Sequence, residues 1–314
     1  MVTFADVQAA ASRIRPYIHR TPVMTSRSVD AAAGVEVYAK CENLQRGGAF
    51  KLRGAANFLL SIPDADVGRG VVAFSSGNHA QAVAIAAGIR NTKATLVMPT
   101  DAPQSKLEAT IARGGNVIRF DRLREDREAI GRRISEETGA TLVPPFDHPW
   151  IIAGQGTAAM ELLEEVPDLD ALVVCLGGGG LLAGSATAAK AMKPSIRVFG
   201  AEPAIANDWA LSLAAGKIVE IAPPETIADG LRSTKPGKIT FPIVQQLVEQ
   251  VLLVSEEEIL TAMKFVLMRA KTLVEPSGAV AAAAVLNRKL PEGIRKVGVI
   301  LSGGNVDWEV LRTA

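Results

Sequence analysis

Aromatic residues are scarce in this sequence. Phe, Trp and Tyr make up 4% of its 314 residues, while hydrophobic residues reach 48%. So large an apolar share with so few rings points to an aliphatic core. That disfavours a β-sandwich and favours helix and sheet layers built on Val, Ile, Leu and Ala. Cysteine is nearly absent too. Cys41 and Cys175 stand in separate apolar runs, which excludes a disulfide framework or a cysteine metal site and reads as two small buried hydrophobes. The net charge is +1, so there is no electrostatic footprint for nucleic acid or an anionic membrane. No apolar run reaches the ~18 residues of a membrane span. The N-terminus MVTFADVQAA has no basic segment leading into an apolar one, so no secretory leader is expected. These absences leave a cytoplasmic enzyme as the expectation.

What is present is length and alternation. At ~150 residues per domain the chain predicts two domains. TFADVQAAASRIRPY predicts a helix with Thr3 and Asp6 at capping-box spacing. VEVYAKCE alternates as a strand, and KLRGAANFLLSI follows as a helix. From about Gly70 to Val143 strands and helices alternate, with VVAF, KATLVMP and NVIRF as the strands. PPFDHPW breaks this rhythm and predicts a crossing between domains. Beyond it come the helix GQGTAAMELLEEV, a strand–glycine loop–helix unit in ALVVCLGGGGLLAGSATAAKAM, and the strand SIRVFGAEP. An irregular stretch through IAPPETIADGLRSTKPGKITFP leads to VLLVS, two further helices and KVGVILSGGN. Apolar strands alternating with helices predict parallel sheets covered on both faces.

Ligands of open parallel sheets bind beyond the carboxyl ends of the strands. Three loops fall at such ends: SSGNH (Ser75 to His79), GGGG (Gly177 to Gly180) and SGGN (Ser302 to Asn305). The four glycines let backbone N–H groups point into one concavity ahead of a helix, which suits a phosphate. Gly178, Gly180 and Ala183 also satisfy the dinucleotide pattern G-x-G-x-x-A, with Glu202 about twenty residues on where a ribose acid would stand. A dinucleotide oxidoreductase and plain strand–helix packing both remain open on this loop. A dinucleotide domain has no need of a lone amine in GGAFKLRGA, whereas a Schiff-base cofactor needs a lysine, a phosphate cradle and partners for its ring. Lys51 would become a nucleophile if burial lowered its pKa; otherwise it is an ordinary helix-start lysine.

Seven motifs in order, CENLQRGGAFKLRGA, SSGNHAQAVA, IAGQGTAAMELL, GGGGLLAG, PPETIADGL, EPSGAVAAAAVL and LSGGNVD, resemble the serine/threonine dehydratase and serine racemase family, which includes 3-hydroxyaspartate ammonia-lyases. These are pyridoxal-phosphate enzymes of fold type II, and the likeness runs from about His19 to Asp307. It implies an α/β, tryptophan-synthase-β-like fold of two domains. Residues 1–60 and 150–314 would form the large cofactor-binding domain, and 61–149 the small closing domain. It implies that Lys51 carries pyridoxal 5'-phosphate as a Schiff base and that Phe50 packs by the cofactor ring. Asn78 would meet the ring's phenolic oxygen, and Gly177, Gly178, Gly179 and Gly180 would hold the phosphate with Leu181 beside them. Ser302 would face the pyridine nitrogen. A hydroxyl there does not enforce a protonated ring, which favours prompt loss of a β-leaving group over transamination.

The same resemblance places the substrate carboxylate on Ser75, Ser76 and Gly77. Ser76 would double as the acid/base on the opposite face in a racemase. His79, Arg127 and Ser233 match positions at the side-chain end of the ligand, with Arg232 as a further cation beside Ser233. Ala49 leans toward the racemase and hydroxyaspartate branch. Glu202 and Asp208, with the Ala206 carbonyl between them, match a divalent-cation site for Mg²⁺ or Ca²⁺; on residue type alone they are two carboxylates after a strand. Arg46 and Gly47 stand where nucleotide-activated racemases carry a Lys-Thr pair, so nucleotide activation is not expected. The implied activity is β-elimination of a β-hydroxy amino acid, serine, threonine or 3-hydroxyaspartate, to a 2-oxo acid and ammonia. Serine or aspartate racemisation at the same site is the alternative. A homodimer is implied by the family only.

Overall fold

The computed structural model describes residues 1–75, 77–102, 104–121 and 124–313. Among them the strands are β1 Val23–Met24, β2 Glu36–Lys40, β3 Val71–Phe74, β4 Ala94–Pro99, β5 Asn116–Phe120, β6 Thr141–Leu142, β7 Ala171–Cys175, β8 Arg197–Pro203, β9 Gln250–Val254 and β10 Lys296–Ile300. They form a six-stranded sheet in the order β1-β2-β10-β7-β8-β9 and a four-stranded sheet in the order β5-β4-β3-β6. Only the pair β1–β2 is antiparallel; every other described pair runs parallel. The sequence pattern predicts this, because strands buried on both faces lose the in/out alternation of a half-exposed sheet. In β7 every residue is buried.

Register brings the loops together. Ile300 pairs with Lys40 and Val299 with Val173. The segments after β2, β10 and β7 therefore leave the sheet side by side, carrying the lysine motif, Ser302 and the glycine loop. In the four-stranded sheet Phe74 pairs with Val97, and the Ser75 N–H donates to Val97 O at 3.0 Å. Alternate residues of β3 serve opposite faces. Val71 and Ala73 join one buried cluster with Leu96 and Met98; Val72 and Phe74 join another with Val97 and Phe120.

The helix Lys51–Leu60 does not sit with the six-stranded core. Leu52, Ala55, Ala56, Phe58 and Leu59 pack into the cluster under the four-stranded sheet, together with Ile14 and Ile151. Helix Pro149–Glu165 binds it to the rest of the molecule. It starts earlier than GQGTAAM suggests, because Pro149 takes the first helical position and the His148 side chain caps the Trp150 N–H. A Cβ on Gly154 would press on the backbone of Arg53 and Gly54, and one on Gly156 on the carbonyl of Gly184. The glycines thus let this helix touch both the lysine helix and the helix Gly180–Met192 behind the glycine loop. Charge locks the contact. Arg53 Nε donates to Glu42 Oε2 at 2.7 Å and its Nη2 to Glu161 Oε2 at 2.8 Å, and Lys40 Nζ lies 2.7 Å from the same Glu161 oxygen. Burial opposes the Arg53 charge, but Glu42 and Glu161 outweigh it and hold the guanidinium above its ordinary range.

Candidate active site

Lys51 opens the helix Lys51–Leu60, with Phe50 at the N-cap. The turn before it needs left-handed backbone: Gly47 has φ +85° and Gly48 φ +74°, and a side chain on Gly48 would overlap Asn305. Backbone pairs tie this turn to the SGGN loop. The Phe50 N–H donates to Ser302 O at 3.0 Å, the Gly304 N–H to Gly48 O at 2.9 Å, and Ala49 bridges Gly303. The Lys51 ammonium donates to Pro145 O at 2.8 Å and lies 5.2 Å from the centre of the Phe50 ring. Burial, with no carboxylate among the causes of its shift, pushes its pKa down from 10.5 to about 8. That is the perturbed amine a nucleophilic lysine requires.

The glycine loop is braced on three sides. Trp209 Nε1–H donates to Gly177 O, and the Thr240 hydroxyl donates to Gly178 O at 2.9 Å. A Cβ on Gly178 would overlap the Phe146 ring; one on Gly179, at φ +93°, would overlap Trp209 and Thr240. Asp147 holds the Phe146 segment in place by accepting the N–H groups of Lys238, Ile239 and Thr240. With every brace on carbonyls or side chains, the loop's N–H groups and the start of helix Gly180–Met192 are left for an anion. Leu181 is buried beside them.

Asn78 opens helix Asn78–Arg90. Its Nδ2–H donates to Glu275, and its Oδ1 accepts from Asn305 Nδ2 at 2.9 Å. Ser302 is buried, and its hydroxyl donates a long 3.4 Å bond to Ser277 O. Burial pushes the neighbouring Cys175 thiol up to about 11, with the Ser302 hydroxyl acting against it. The Ser75 Oγ accepts the Gly77 N–H at 3.2 Å. Ser76 lies outside the described residues.

The side-chain-end residues behave differently from one another. His79 is buried, its Nε2 meets Val143 O at 3.2 Å, and burial pushes its pKa down to about 3. It is therefore neutral and contributes no cation. Arg127 is exposed at the start of helix Arg127–Thr138, 5.7 Å over the ring of Phe74, the residue just before Ser75. Ser233 is half-buried, and Arg232 turns its Nε to Thr226 O at 2.9 Å.

Glu202 and Asp208 are buried near Ala206, itself buried. Glu202 Oε1 accepts the Ala210 N–H at 2.9 Å, while Glu202 Oε2 and Asp208 Oδ2 have no hydrogen-bond partner. Burial pushes the two carboxyls up to about 8 and about 7; at Glu202 the Asp208 charge adds to it. Two orphaned acidic oxygens are a donor set a hard cation satisfies. The same burial removes Glu202 from the ribose role of the dinucleotide reading.

Other residues of the site carry no signal in the loop motifs. Phe146, Asp147, Trp209 and Thr240 act on the glycine loop from distant segments. Lys106, Asp229 and Glu275 form a charged cluster beside Asn78, with Lys106 2.6 Å from Asp229 and 3.4 Å from Glu275. The one available hint was the acids in two of the motifs, Glu225 and Asp229 in PPETIADGL and Glu275 in EPSGAVAAAAVL.

The family model described as "Pyridoxal-phosphate dependent enzyme" matches residues 14–303. L-threo-3-hydroxyaspartate ammonia-lyase of Saccharomyces cerevisiae is 50% identical over 307 residues, 98% of this chain and 94% of that protein. Serine racemase of Schizosaccharomyces pombe is 49% identical over 309 residues, 98% of this chain and 95% of that protein. The solved structure of maize serine racemase superposes with a TM-score of 0.96 at 46% identity, covering 99% of this chain and 96% of that one.

Proposed function

From the premise that the chain belongs to the pyridoxal-phosphate dependent enzyme family, in its fold type II branch, we propose that it eliminates water from a β-hydroxy amino acid. The enamine left by loss of water then takes up water to give a 2-oxo acid and ammonia. L-threo-3-hydroxyaspartate and L-serine are the substrates we favour, consistent with the activity named for a relative at 50% identity. The observation that carries the reading is Lys51. A half-buried amine with a pKa near 8 stands at a helix start, tied through Pro145 and Phe146 to a glycine cradle.

The residues present fit the cofactor. Lys51 would hold its aldehyde carbon, Gly177 to Gly180 its phosphate, Asn78 its phenolic oxygen and Ser302 its ring nitrogen, with Phe50 alongside. When bound, the cofactor supplies an electron sink that acidifies the substrate Cα–H. The Lys51 amine would be the base for that proton, and its lowered pKa keeps a fraction of it unprotonated at neutral pH. Ser75, Ser76 and Gly77 hold the α-carboxylate. Arg127 receives a second carboxylate at the side-chain end, which selects 3-hydroxyaspartate over serine. His79 stays neutral there and shapes the wall. Glu202, Asp208 and the Ala206 carbonyl hold Mg²⁺ or Ca²⁺ as a structural ion.

Residues 61–149 close over the site as the small domain, which excludes water and sets specificity. The enzyme works as a cytoplasmic homodimer. Serine racemisation at the same site is the second reading, favoured by the activity named for a relative at 49% identity. It would use Ser76 as the acid/base opposite Lys51.

The test is a panel of L- and D-serine, L-threonine, threo- and erythro-3-hydroxyaspartate and aspartate, scored for 2-oxo acid and for inversion at Cα. Release of 2-oxo acid and ammonia in equal amounts is expected, with threo-3-hydroxyaspartate the better substrate and Arg127→Ala erasing that preference. Inversion without 2-oxo acid would replace elimination by racemisation. A coloured enzyme inert toward the whole panel would overturn both.

A further inference from the structure

One charged side chain joins the two sheets' layers outside the groups that hold cofactor and substrate. Lys106 projects from the helix Gln104–Ala112, which follows β4 of the four-stranded sheet. Its ammonium lies 2.6 Å from Asp229 Oδ2 and 3.4 Å from Glu275 Oε2. Asp229 opens the 3-10 turn Asp229–Leu231, and Glu275 stands just before helix Pro276–Leu286, whose residues pack in the core of the six-stranded sheet. Lys106 is 5% exposed and Glu275 1%. A lysine from one layer is therefore buried against two acids of the other.

The same side chain reaches the site's own parts. Its aliphatic stem lies across Gly77, where a Cβ would come within 2.5 Å of Lys106 Cδ. Glu275, its farther partner, accepts the Asn78 amide through its other oxygen. Asn78 in turn accepts from Asn305, which also donates to Gly47 O at 2.8 Å. A buried ammonium is unfavourable unless paired, so Lys106 is at ease only with both layers together. With the layers apart, all three groups regain water, and the burial that pushes the Glu275 carboxyl up to about 7 is relieved. Burial opposes the Lys106 charge, but Glu275 and Asp229 outweigh it and hold the group above its ordinary value, so the amine stays charged when docked.

We propose that Lys106 is the latch of domain closure: its ion pair with Asp229 and Glu275 forms as the four-stranded layer closes on the six-stranded one. The same contact fixes Glu275 and, through it, the orientation of the Asn78 amide. Closure and assembly of the Asn78 contact then become one event. The inference rests on the site reading above. Lys106 is a positioning residue that acts through Glu275 and Asn78.

Lys106→Met keeps the stem and removes the charge, and Lys106→Arg keeps the charge. On the pyridoxal-phosphate-loaded enzyme with L-threo-3-hydroxyaspartate and L-serine, Lys106→Met lowers kcat/KM by about tenfold, mainly through KM, because the competent closed form becomes rarer. The bound-cofactor absorbance persists, and Lys106→Arg restores most of the loss. Adding Asp229→Asn to Lys106→Met costs no more than Lys106→Met alone, since both break one interaction. Small-angle scattering of the holoenzyme reads closure without relying on turnover. Lys106→Met should have the larger radius of gyration, and Asp229→Asn should match it if Lys106→Met folds poorly. Equal radii, or a folded Lys106→Met with unchanged kcat/KM, would overturn the latch. An inert wild type with the expected change in radius would instead count against the proposed reaction alone.

Discussion

At Lys51 the decisive quantity is how easily the amine gives up its proton. Burial disfavours the ammonium, so the folded pKa falls from 10.5 to about 8. The sign follows directly. Below pH 8 the folded protein holds a charge it disfavours, and this cost fades as pH rises through 8 toward 10.5. Capture of pyridoxal phosphate by the apoenzyme needs the neutral amine, so its rate should climb with a midpoint near pH 8. A midpoint near 10.5, measured by stopped-flow absorbance, would show an unperturbed lysine. At Glu202 and Asp208 the orphaned oxygens make a second forecast. Mg²⁺ added to EDTA-stripped protein should raise Tm, and Glu202→Gln should abolish that response; an indifferent wild type would make the pair a proton-sharing structural one. The place of Lys51 at a helix start beside a glycine turn was legible in the sequence. Its acceptor Pro145 was not, since it lies 94 residues away in sequence. Nor was the neutrality of His79, which burial imposes, helped by the Lys51 charge and opposed by the Val143 carbonyl.

At the scale of elements, the glycine loop is a shape held from outside. Gly179 sits at φ +93° with Trp209 and Thr240 against it, so Gly179→Ala meets both backbone strain and overlap. A loss of about 1–3 kcal/mol in stability is expected, together with weaker pyridoxal phosphate retention, read by thermal unfolding and by absorbance after dialysis. Retention at wild-type level would show that the loop's curvature does not matter to the anion. The long elements were legible because apolar periodicity and caps coincide, as at Thr3 with Asp6. Short pieces such as β1, β6 and the turn Asp229–Leu231 were not. They owe their shape to neighbours: β1 to β2, β6 to β3, and Gly230 to the Ser277 hydroxyl that accepts its N–H at 2.9 Å.

At the scale of the molecule, a mostly parallel six-stranded sheet and a parallel four-stranded one share connecting helices. Helix Lys51–Leu60 packs under the four-stranded sheet, while its first residue faces the loops of the six-stranded one. The lysine thus stands where the two layers meet. Two domains were readable from length. The cross-layer contacts were not, because Lys106 to Asp229 and Asn78 to Glu275 join residues 123 and 197 apart. No helix among the described residues is long and apolar enough to cross a membrane. The central claim is that this lysine, and no other, carries the cofactor. Borohydride reduction of the holoenzyme followed by peptide mass mapping tests it most directly. The account predicts loss of the visible band and a reduced pyridoxyl group on Lys51; the group on a different lysine, or on none, would contradict it.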